Sequence, residues 1–433
     1  MNEAKPQKWT LAERVGFRFL FTYLVLFFFP FPSGLVNPGW LGGIFNKFWE
    51  KLVPWVSDSF LHIRIPDSNN GGSGDTTYDY LRILCMLGLS ILATVIWSLL
   101  DRHRGDYRTL HSWARIWLRY ALALCMLTFG AVKVLMVQFE SPGYGRLVQP
   151  LGQFSPMAFL WTFMGFSTLY TCFTGVTEVI GGMFLLFRRT TTLGALVVAG
   201  IMANVVMLNM SYDVPVKLGS LHILFLALVL LAPDLRRLLD FFVLNGTTQS
   251  ANLGPHLASK SLYRWSLGIK TVLICSLLTY LSWDTYKAYQ QHLATIESNP
   301  TPPEGWYRIV SIKKDGKDVP ALTPDEFRWK TFSLRGSYVG LRSIDGSMRR
   351  FRADGDLLQG PVALYPVDEK KERIKGAASI GSLRLSVTDG GQASLKGVFN
   401  GHEVEAAMQS ENPADLPLMS RGFRWISESP HVR

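Results

Sequence analysis

Residues 116–138 read IWLRYALALCMLTFGAVKVLMVQ, and this stretch decides the class of fold. It holds only two charged side chains, Arg119 and Lys133. A helix needs about 20 mostly apolar residues to cross the hydrocarbon core of a bilayer. The stretch therefore predicts a membrane-spanning helix.

Six further apolar runs repeat this pattern. They are residues 14–32, 82–100, 160–187, 191–211, 217–233 and 265–287. The fourth run of the chain, 160–187, is longer than a bilayer requires, so we expect its first turns to lie along the interface. Only 18% of all residues are charged, against about 25% in soluble domains. We predict an all-α membrane bundle of about seven transmembrane helices.

The charges and cysteines argue against several classes of function. The formal net charge is +11, but the basic residues are scattered between apolar runs and form no basic stripe, so no nucleic-acid partner is predicted. All four cysteines lie inside apolar runs, and the chain has no C-x-x-C motif. No disulfide scaffold and no metal site is therefore predicted.

Basic residues also predict an orientation. With the N-terminus in the cytoplasm and seven spans, 15 Lys and Arg residues fall in inside segments and seven fall in outside loops and flanks. Positive residues accumulate on the cytoplasmic side of membrane proteins. We therefore expect a cytoplasmic N-terminus and a C-terminal region outside the membrane.

Four regions follow one another in the chain. Residues 1–108 hold two spans, an amphipathic interfacial helix at 39–56 and a flexible loop at 65–77. Residues 109–245 form the membrane core. Residues 246–299 hold a cytoplasmic loop, the last span and a proline-marked linker, and residues 300–433 form a β-rich external domain.

The β-rich domain is predicted from its turns. Asp-Gly or Asn-Gly pairs, the strongest short signal of a hairpin, separate alternating runs. They stand at 315–316, 345–346, 354–355, 389–390 and 400–401. About eight to ten strands in this length favour an all-β barrel or sandwich. A small closed barrel can hold one hydrophobic ligand, and we expect Trp425 in the tail to plug it.

Two charged side chains lie deep in the predicted bundle, and each follows a glycine by three residues. Lys133 follows Gly130, and Glu178 follows Gly175. Residues three apart share a helix face, and small residues allow helices to approach closely. We predict a close-packed seam that holds Lys133 against Glu178, with Gly181 and Gly182 extending it.

Other polar residues suggest a pocket around this pair. Asn204, Asn209 and His222 fall in the same outer half of the bundle as Lys133 and Glu178, so these five are the candidate ligand-binding residues. Structural roles stay open beside this hypothesis. Lys133 can reach out to the membrane surface, the asparagines can make ordinary hydrogen bonds between helices, and His222 can be a satisfied local donor.

The chain resembles the DoxX/DoxD family of bacterial membrane proteins over roughly residues 110–240. The motifs that carry this resemblance are Gly130-x-x-Lys133, Gly175-x-x-Glu178-x-x-Gly181-Gly182 and Arg188-Arg189-Thr190. The ending Arg421-Gly422-Phe423-x-Trp425 is similar to that of longer DoxX-like proteins. The resemblance implies a four-helix core in a bacterial inner membrane, with a periplasmic β domain. It also implies buried polar positions at Lys133 and Glu178.

Three functions remain open. Some DoxX-like proteins are subunits of thiosulfate:quinone oxidoreductase, so the first is a subunit of a membrane redox system that binds a quinone-like ligand and partners a membrane or periplasmic redox protein. The second is a non-catalytic carrier or scaffold for lipid, whose β domain docks a partner. The third is an enzyme that uses Lys133 as a base, as quinol-driven carboxylases of similar layout do. The chain shows no cofactor motif of its own, and its catalytic residues stay unassigned.

Overall fold

The computed structural model describes residues 9–29, 39–66, 73–248, 250, 305–320, 326–368, 373–374, 376–388 and 390–420, with single positions between 268 and 290. The chain forms two compact units. One comprises Met1–Glu140 and Pro156–Thr285, and the other comprises Ser141–Ser155 and Tyr286–Arg433. The linker 299–303, the plug residue Trp425 and most of the predicted span 265–287 lie outside the described residues.

The first unit is helical. Its helices are α1 (Leu11–Phe28), α2 (Gly39–Val56), α3 (Thr77–Leu100), α4 (Arg108–Val134), α6 (Pro156–Phe166), α7 (Thr168–Leu186), α8 (Thr191–Ser211), α9 (Lys217–Leu231) and α10 (Leu235–Phe242), while α5 (Tyr144–Leu147) belongs to the second unit. A π-helical turn, Ser57–Leu61, follows α2.

Five helices in the described part of the chain are long and apolar enough to cross a membrane. They are α3, α4, α7, α8 and the segment Lys217–Phe242 that contains α9. The first predicted span, at 14–32, corresponds to α1, which has 18 residues and carries Glu13, Arg14 and Arg18. With three charged residues among 18, α1 is not apolar enough to join the five helices above. Five of the seven predicted spans are therefore supported.

The predicted run 160–187 is two helices rather than one. Helix α6 ends at Phe166, and Ser167 begins α7 by accepting a hydrogen bond from the backbone N–H of Tyr170 at 3.2 Å. The Thr171 hydroxyl donates to the Met164 carbonyl across the break at 2.6 Å. These two side chains satisfy backbone groups that a continuous helix would pair internally, so the break costs little.

Helix α1 is fastened to the bundle by a buried arginine. Arg18 is 2% exposed, and its guanidinium donates to the Tyr107 hydroxyl, the Ser98 hydroxyl and the Asp101 carbonyl at 2.7–3.0 Å. The Tyr107 hydroxyl in turn donates to the Asp101 carboxylate at 2.9 Å. A buried charge needs several such partners, and here they come from the end of α3 and the start of α4.

Helix α2 has the amphipathic pattern predicted for residues 39–56, and part of its apolar face is packed within the unit. Trp49 and Val53 are fully buried in the helical core, whereas Ile44 and Phe48 are exposed. Lys47 lies on the exposed polar face. The helix therefore contributes to the core and also leaves an apolar surface free.

Helices α4 and α7 approach each other backbone to backbone. A Cβ atom on Gly130 would lie 2.6 Å from the Gly175 carbonyl oxygen, and one on Gly175 would lie 2.7 Å from the Gly130 carbonyl oxygen. A Cβ atom on Gly182 would lie 3.1 Å from the Ala123 carbonyl oxygen. The seam therefore runs along both helices, and Gly181 packs instead against Val198 of α8.

The bundle ends are tied together by a carboxylate. Asp75, just before α3, accepts hydrogen bonds from the backbone N–H groups of Lys217 and Leu218 at 2.7 and 2.9 Å. A carboxylate at a helix N-terminus satisfies free donors and complements the helix dipole. The start of α3 and the start of α9 therefore lie at the same end of the bundle.

The second unit contains an antiparallel β-barrel. A barrel and a sandwich were the two architectures predicted for this region, and the structure shows the barrel. Its strands are β1 (Gly305–Lys314), β2 (Lys317–Asp318), β3 (Trp329–Arg335), β4 (Tyr338–Ser343), β5 (Met348–Ala353), β6 (Val362–Pro366), β7 (Gly381–Val387), β8 (Gln392–Phe399) and β9 (His402–Ser410). Each strand from β3 to β9 pairs with the next, and β1 pairs with both β3 and β9. Eight strands thus close the barrel, and the two-residue β2 pairs antiparallel with the end of β1.

Aromatic side chains fill the barrel interior. Phe399 makes edge-to-face contacts with Phe327, Trp329 and Phe351 at centroid distances of 5.1–6.0 Å. All four are at most 4% exposed. Such contacts add to the hydrophobic stabilisation of the core. The predicted turns are also present, since Asp315-Gly316 and Asn400-Gly401 both have positive φ at each residue.

The second unit also includes residues 141–155, which the sequence analysis placed in the membrane core. The Tyr144 ring stacks on Trp306 of β1 at 5.1 Å. Arg342 of β4 donates to the Gly145 carbonyl at 3.3 Å and is 6% exposed. The segment covers part of the outer wall of the barrel, so this unit is built from two separate parts of the chain.

We predict that Gly175→Ala lowers the free energy of unfolding of the detergent-purified protein by about 1–3 kcal/mol, because the added methyl overpacks the seam. Gly88 of α3 has no atom within 4 Å of its Cβ position, so Gly88→Ala is the control and should raise stability by about 0.5–1 kcal/mol. Thermal unfolding would measure both variants. Equal effects would show that the helices do not approach closely.

A pH-dependent contribution is expected in the barrel. The Asp315 carboxylate accepts hydrogen bonds from His402 at 2.7 Å and from the Glu403 N–H at 3.0 Å, and these bonds lower the pKa of Asp315. Because the pKa is lower in the folded state, the stabilisation is present above the unfolded value of about 3.9 and is lost as the pH falls through the folded pKa.

The variant Asp315→Asn tests this contribution, since asparagine also tolerates the positive φ at this position. We expect it to be less stable than the unmodified protein at pH 7 and to match it once the pH has fallen below the folded pKa. Thermal unfolding across this range gives the comparison. A difference that stays constant with pH would contradict the role of the carboxylate charge.

Candidate functional site

Lys133 and Glu178 form a buried ion pair across the seam. The Lys133 ammonium lies 2.8 Å from Oε2 and 3.0 Å from Oε1 of Glu178, and 3.5 Å from the Phe129 carbonyl oxygen. Lys133 is 9% exposed and Glu178 is 2% exposed. An ammonium group has three donors, and three acceptors surround it here. The arrangement suits a charged donor better than the free amine that a general base requires.

The lysine reaches inward along its helix. Lys133 is the second-last residue of α4, yet its Nζ atom bonds back to the Phe129 carbonyl one turn earlier. Glu178 lies ten residues after the start of α7, about 15 Å along the helix at 1.5 Å per residue. The alternative in which Lys133 extends outward to the membrane surface is therefore excluded by this geometry.

A cavity of about 1140 Å³ lies beside this pair within the helical unit. Its walls are mostly apolar and aromatic, with side chains from α1, α2, α3, α4, α6, α7, α8 and α9. The aromatic residues are Phe27, Phe28, Phe29, Phe45, Phe129, Phe139, Trp161, Tyr170 and Phe173. Pockets for organic ligands have this character, with few polar groups that set orientation.

Four of the five predicted pocket residues line this cavity. They are Lys133, Glu178, Asn204 and Asn209. Asn204 lies on an exposed part of α8, whereas Asn209 is 6% exposed. Their role in binding a ligand stays a prediction, but the structure brings these four side chains to one cavity.

Asn209 does not make all the hydrogen bonds that its side chain can form. Its Nδ2 atom is buried and has no hydrogen-bond partner among the described residues. An unpaired buried donor costs about 1–3 kcal/mol, so proteins usually satisfy such groups. This nitrogen therefore does not make the hydrogen bond between helices that was the alternative role for Asn209. Because Asn209 lines the cavity, a rotation of its amide would present Nδ2 to an acceptor oxygen of a ligand.

His222 is the predicted pocket residue that does not line the cavity, although its neighbour Phe27 does. Its Nδ1 atom lies 2.7 Å from the Leu218 carbonyl oxygen, which can only accept, so Nδ1 carries the proton and Nε2 accepts from the Tyr23 hydroxyl at 2.5 Å. Its ring stacks on Phe27 at 3.8 Å. His222 is thus a satisfied local donor that joins α9 to α1.

Arg82 is a cavity residue that the sequence pattern did not predict. This residue, in the second turn of α3, lines the cavity, and its guanidinium lies 5.4 Å from the ring centre of Trp49. Its Nε atom is buried without a hydrogen-bond partner in the described part of the chain. The residue stands at the edge of the predicted apolar run 82–100, so it was counted as a charge that flanks the span. In the structure α3 begins at Thr77, and Arg82 lies five residues inside the helix.

The chemistry available at this site is hydrogen bonding and proton exchange. Within the described residues, no group of three or more His, Cys, Asp or Glu side chains could hold a metal ion. The polar side chains that line the cavity include Asn209, Arg82 and the Lys133–Glu178 ion pair. Such a set can orient an apolar molecule through its oxygen atoms.

Comparison with known proteins gives one informative relative. The uncharacterized protein YwoB of Bacillus subtilis (strain 168) is 31% identical to this chain over 126 residues. The match covers 29% of this chain and 79% of YwoB. No family model and no solved structure matches the chain. The relative does not bear on the DoxX/DoxD resemblance, which stays a prediction.

We predict that Lys133→Met and Glu178→Gln each lower the free energy of unfolding by about 3–5 kcal/mol, because either change leaves a buried group without its partner. The double variant should lose less than the sum, since no uncompensated charge remains. Denaturation in detergent would complete this double-mutant cycle. Additive losses would show that the two side chains do not interact.

The control for this cycle is Lys396→Met. Lys396 pairs with Glu405 at 2.5 Å, and their side chains are 63% and 49% exposed; exposed pairs contribute at most about 1 kcal/mol. A loss as large as that of Lys133→Met would indicate a general effect of removing lysine charges.

Proposed function

This chain belongs to the family of the Bacillus subtilis protein YwoB, and we propose that its helical unit binds a quinone-like molecule in the cavity, as a subunit of a membrane redox system. The observation that carries the proposal is an aromatic cavity next to the Lys133–Glu178 pair, lined by Asn209, whose Nδ2 atom has no partner among the described residues. YwoB itself lends the proposal no activity.

A quinone matches the groups of this cavity. Its flat ring can stack on aromatic walls such as Phe129 and Tyr170, and its carbonyl oxygens can accept from the Asn209 amide. A quinone also takes up protons when it is reduced. Lys133 and Glu178 are ionisable groups at the cavity wall and can pass those protons, while a partner redox protein supplies the electrons.

The apolar helices and the DoxX/DoxD resemblance support a location for the protein in the cell. Five apolar helices place the protein in a membrane. In this proposal that membrane is the bacterial inner membrane, the N-terminus is cytoplasmic, and the barrel is periplasmic and docks the redox partner. The bias of basic residues supports this orientation. The DoxX/DoxD resemblance supports the redox role, because some members of that family act with quinones.

A lipid carrier is the second candidate, and Arg82 favours it. Its buried Nε atom has no partner among the described residues, and a guanidinium binds the phosphate of a phospholipid well. In this version the aromatic walls hold acyl chains, and the Lys133–Glu178 pair is structural. The ligand that accompanies the purified protein distinguishes the two candidates.

The test is native mass spectrometry of the detergent-purified protein, followed by extraction of quinones and lipids, with Asn209→Leu beside the unmodified chain. Leucine is similar in size and removes an amide whose buried Nδ2 atom has no hydrogen-bond partner among the described residues, so the variant should fold with equal or higher stability. We expect bound quinone to fall about fivefold to tenfold, the loss expected for one hydrogen bond.

Thr128→Val is the matched control. Thr128 is also buried with an unpartnered side-chain oxygen among the described residues, and it does not line the cavity. Its substitution should leave the bound quinone unchanged. A phospholipid in place of quinone, lost on Arg82→Gln, would transfer the assignment to the carrier. Absence of both ligands would contradict both functions.

A further inference from the structure

A second polar site lies where α7 ends and α8 begins, at the opposite end of α7 from its Ser167 cap. We propose that Arg119 and the N-terminus of α8 bind the phosphate group of an anionic phospholipid. This site shares no residue with the cavity and does not depend on the proposed function.

Arg119 is a buried cation that its surroundings satisfy only in part. It is 6% exposed, and it donates from Nη1 to the Thr191 hydroxyl at 3.3 Å. The guanidinium also lies 4.8 Å from the ring centre of Tyr120, and the Tyr120 side chain is a further hydrogen-bond partner of Arg119. Its Nε atom is buried and has no partner in the described part of the chain. Because Thr191 is the first residue of α8, the guanidinium lies at that helix end.

The charges around Arg119 do not neutralise it. Two positive side chains repel the Arg119 guanidinium. They are Arg115 on the same helix and Arg188 in the connection before α8. The nearby carboxylate of Asp234 is already engaged. Its Oδ1 atom accepts from Arg237 at 2.6 Å, and its Oδ2 atom accepts from Thr192 at 2.8 Å and lies 3.6 Å from Arg115.

The N-terminus of α8 adds free donors at the same place. The Thr190 and Thr191 hydroxyls donate to carbonyl groups of Phe184 and Phe187, and no side-chain hydrogen bond of Thr190 caps the helix. Among the described residues, the first N–H groups of this 21-residue helix therefore have no side-chain cap from Thr190. Helix N-termini bind phosphate through such N–H groups and through the helix dipole.

The membrane indicates the source of the phosphate. Both α4 and α8 are long enough to cross the bilayer, so the first turn of α8 lies where a span meets the headgroup region. Lipid phosphates occupy this level, and the net positive charge of the site selects a lipid with negative net charge.

The experiment compares the full-length protein in nanodiscs of phosphatidylglycerol and of phosphatidylcholine, by thermal unfolding and by native mass spectrometry of retained lipid. We expect phosphatidylglycerol to raise the unfolding temperature and to remain bound. Arg119→Gln should lower its affinity about tenfold or more, the loss of one charge-assisted hydrogen bond. Arg236→Gln removes an equal charge from an 84% exposed side chain of α10 and should change nothing.

A second variant keeps the test valid if Arg119→Gln fails to fold. Leu193, in the first turn of α8, is 48% exposed, so Leu193→Glu places a carboxylate at the free N–H groups without disturbing the core. We expect it to be stable without anionic lipid and to lose the stabilisation by phosphatidylglycerol. Leu239→Glu, at a 43% exposed position of α10, is its charge-matched control and should respond like the unmodified protein.

Inorganic phosphate added to the protein in detergent separates the two sources of the ligand. Stabilisation by phosphatidylglycerol alone supports the lipid headgroup, as proposed. Stabilisation by free phosphate that matches the lipid, and that is lost in both variants, would overturn the lipid assignment and make the site one for phosphate ions. Equal responses of Leu193→Glu and Leu239→Glu would overturn the site itself.

Discussion

The architecture of the helical unit depends on one contact, the close approach of α4 and α7 at Gly130 and Gly175. Because neither position carries a Cβ atom, the two backbones come near enough for Lys133 to reach Glu178 at 2.8 Å. A buried ion pair is stable only when its geometry and its extra hydrogen bonds are good. The seam provides that geometry, and it also sets one wall of the cavity.

The cavity and the second site follow from incomplete polar pairing at different helix ends. Asn209 and Arg82 present donors to an apolar cavity, whereas Arg119 presents one to the start of α8. Buried donors without acceptors are rare in proteins. Arg18, in contrast, is matched by four donated bonds. In both proposals another molecule supplies the acceptor that these donors lack.

Sequence patterns predicted what depends on local spacing. The glycine three residues before each buried charge placed Lys133 and Glu178 on facing surfaces, and Asp-Gly and Asn-Gly pairs located the barrel turns. Positions around the bundle axis were not predictable, because hydropathy gives depth and not lateral neighbours. Hydropathy thus grouped His222 with residues whose cavity it does not line, and it did not identify Arg82. The break at Ser167 depends on two hydroxyl bonds that apolarity does not reveal.

Because residues 141–155 belong to the barrel unit, that unit cannot fold completely from one continuous stretch of the chain. Its two parts are separated by more than a hundred residues of chain, so Tyr144 leaves the ribosome long before its stacking partner Trp306. Contacts between distant parts of a chain form late and slow the folding of β-rich structures. A fragment that begins at the linker would also lack the cover over Arg342 and Trp306. The barrel is therefore a discontinuous folding unit, completed only when both parts have been synthesised.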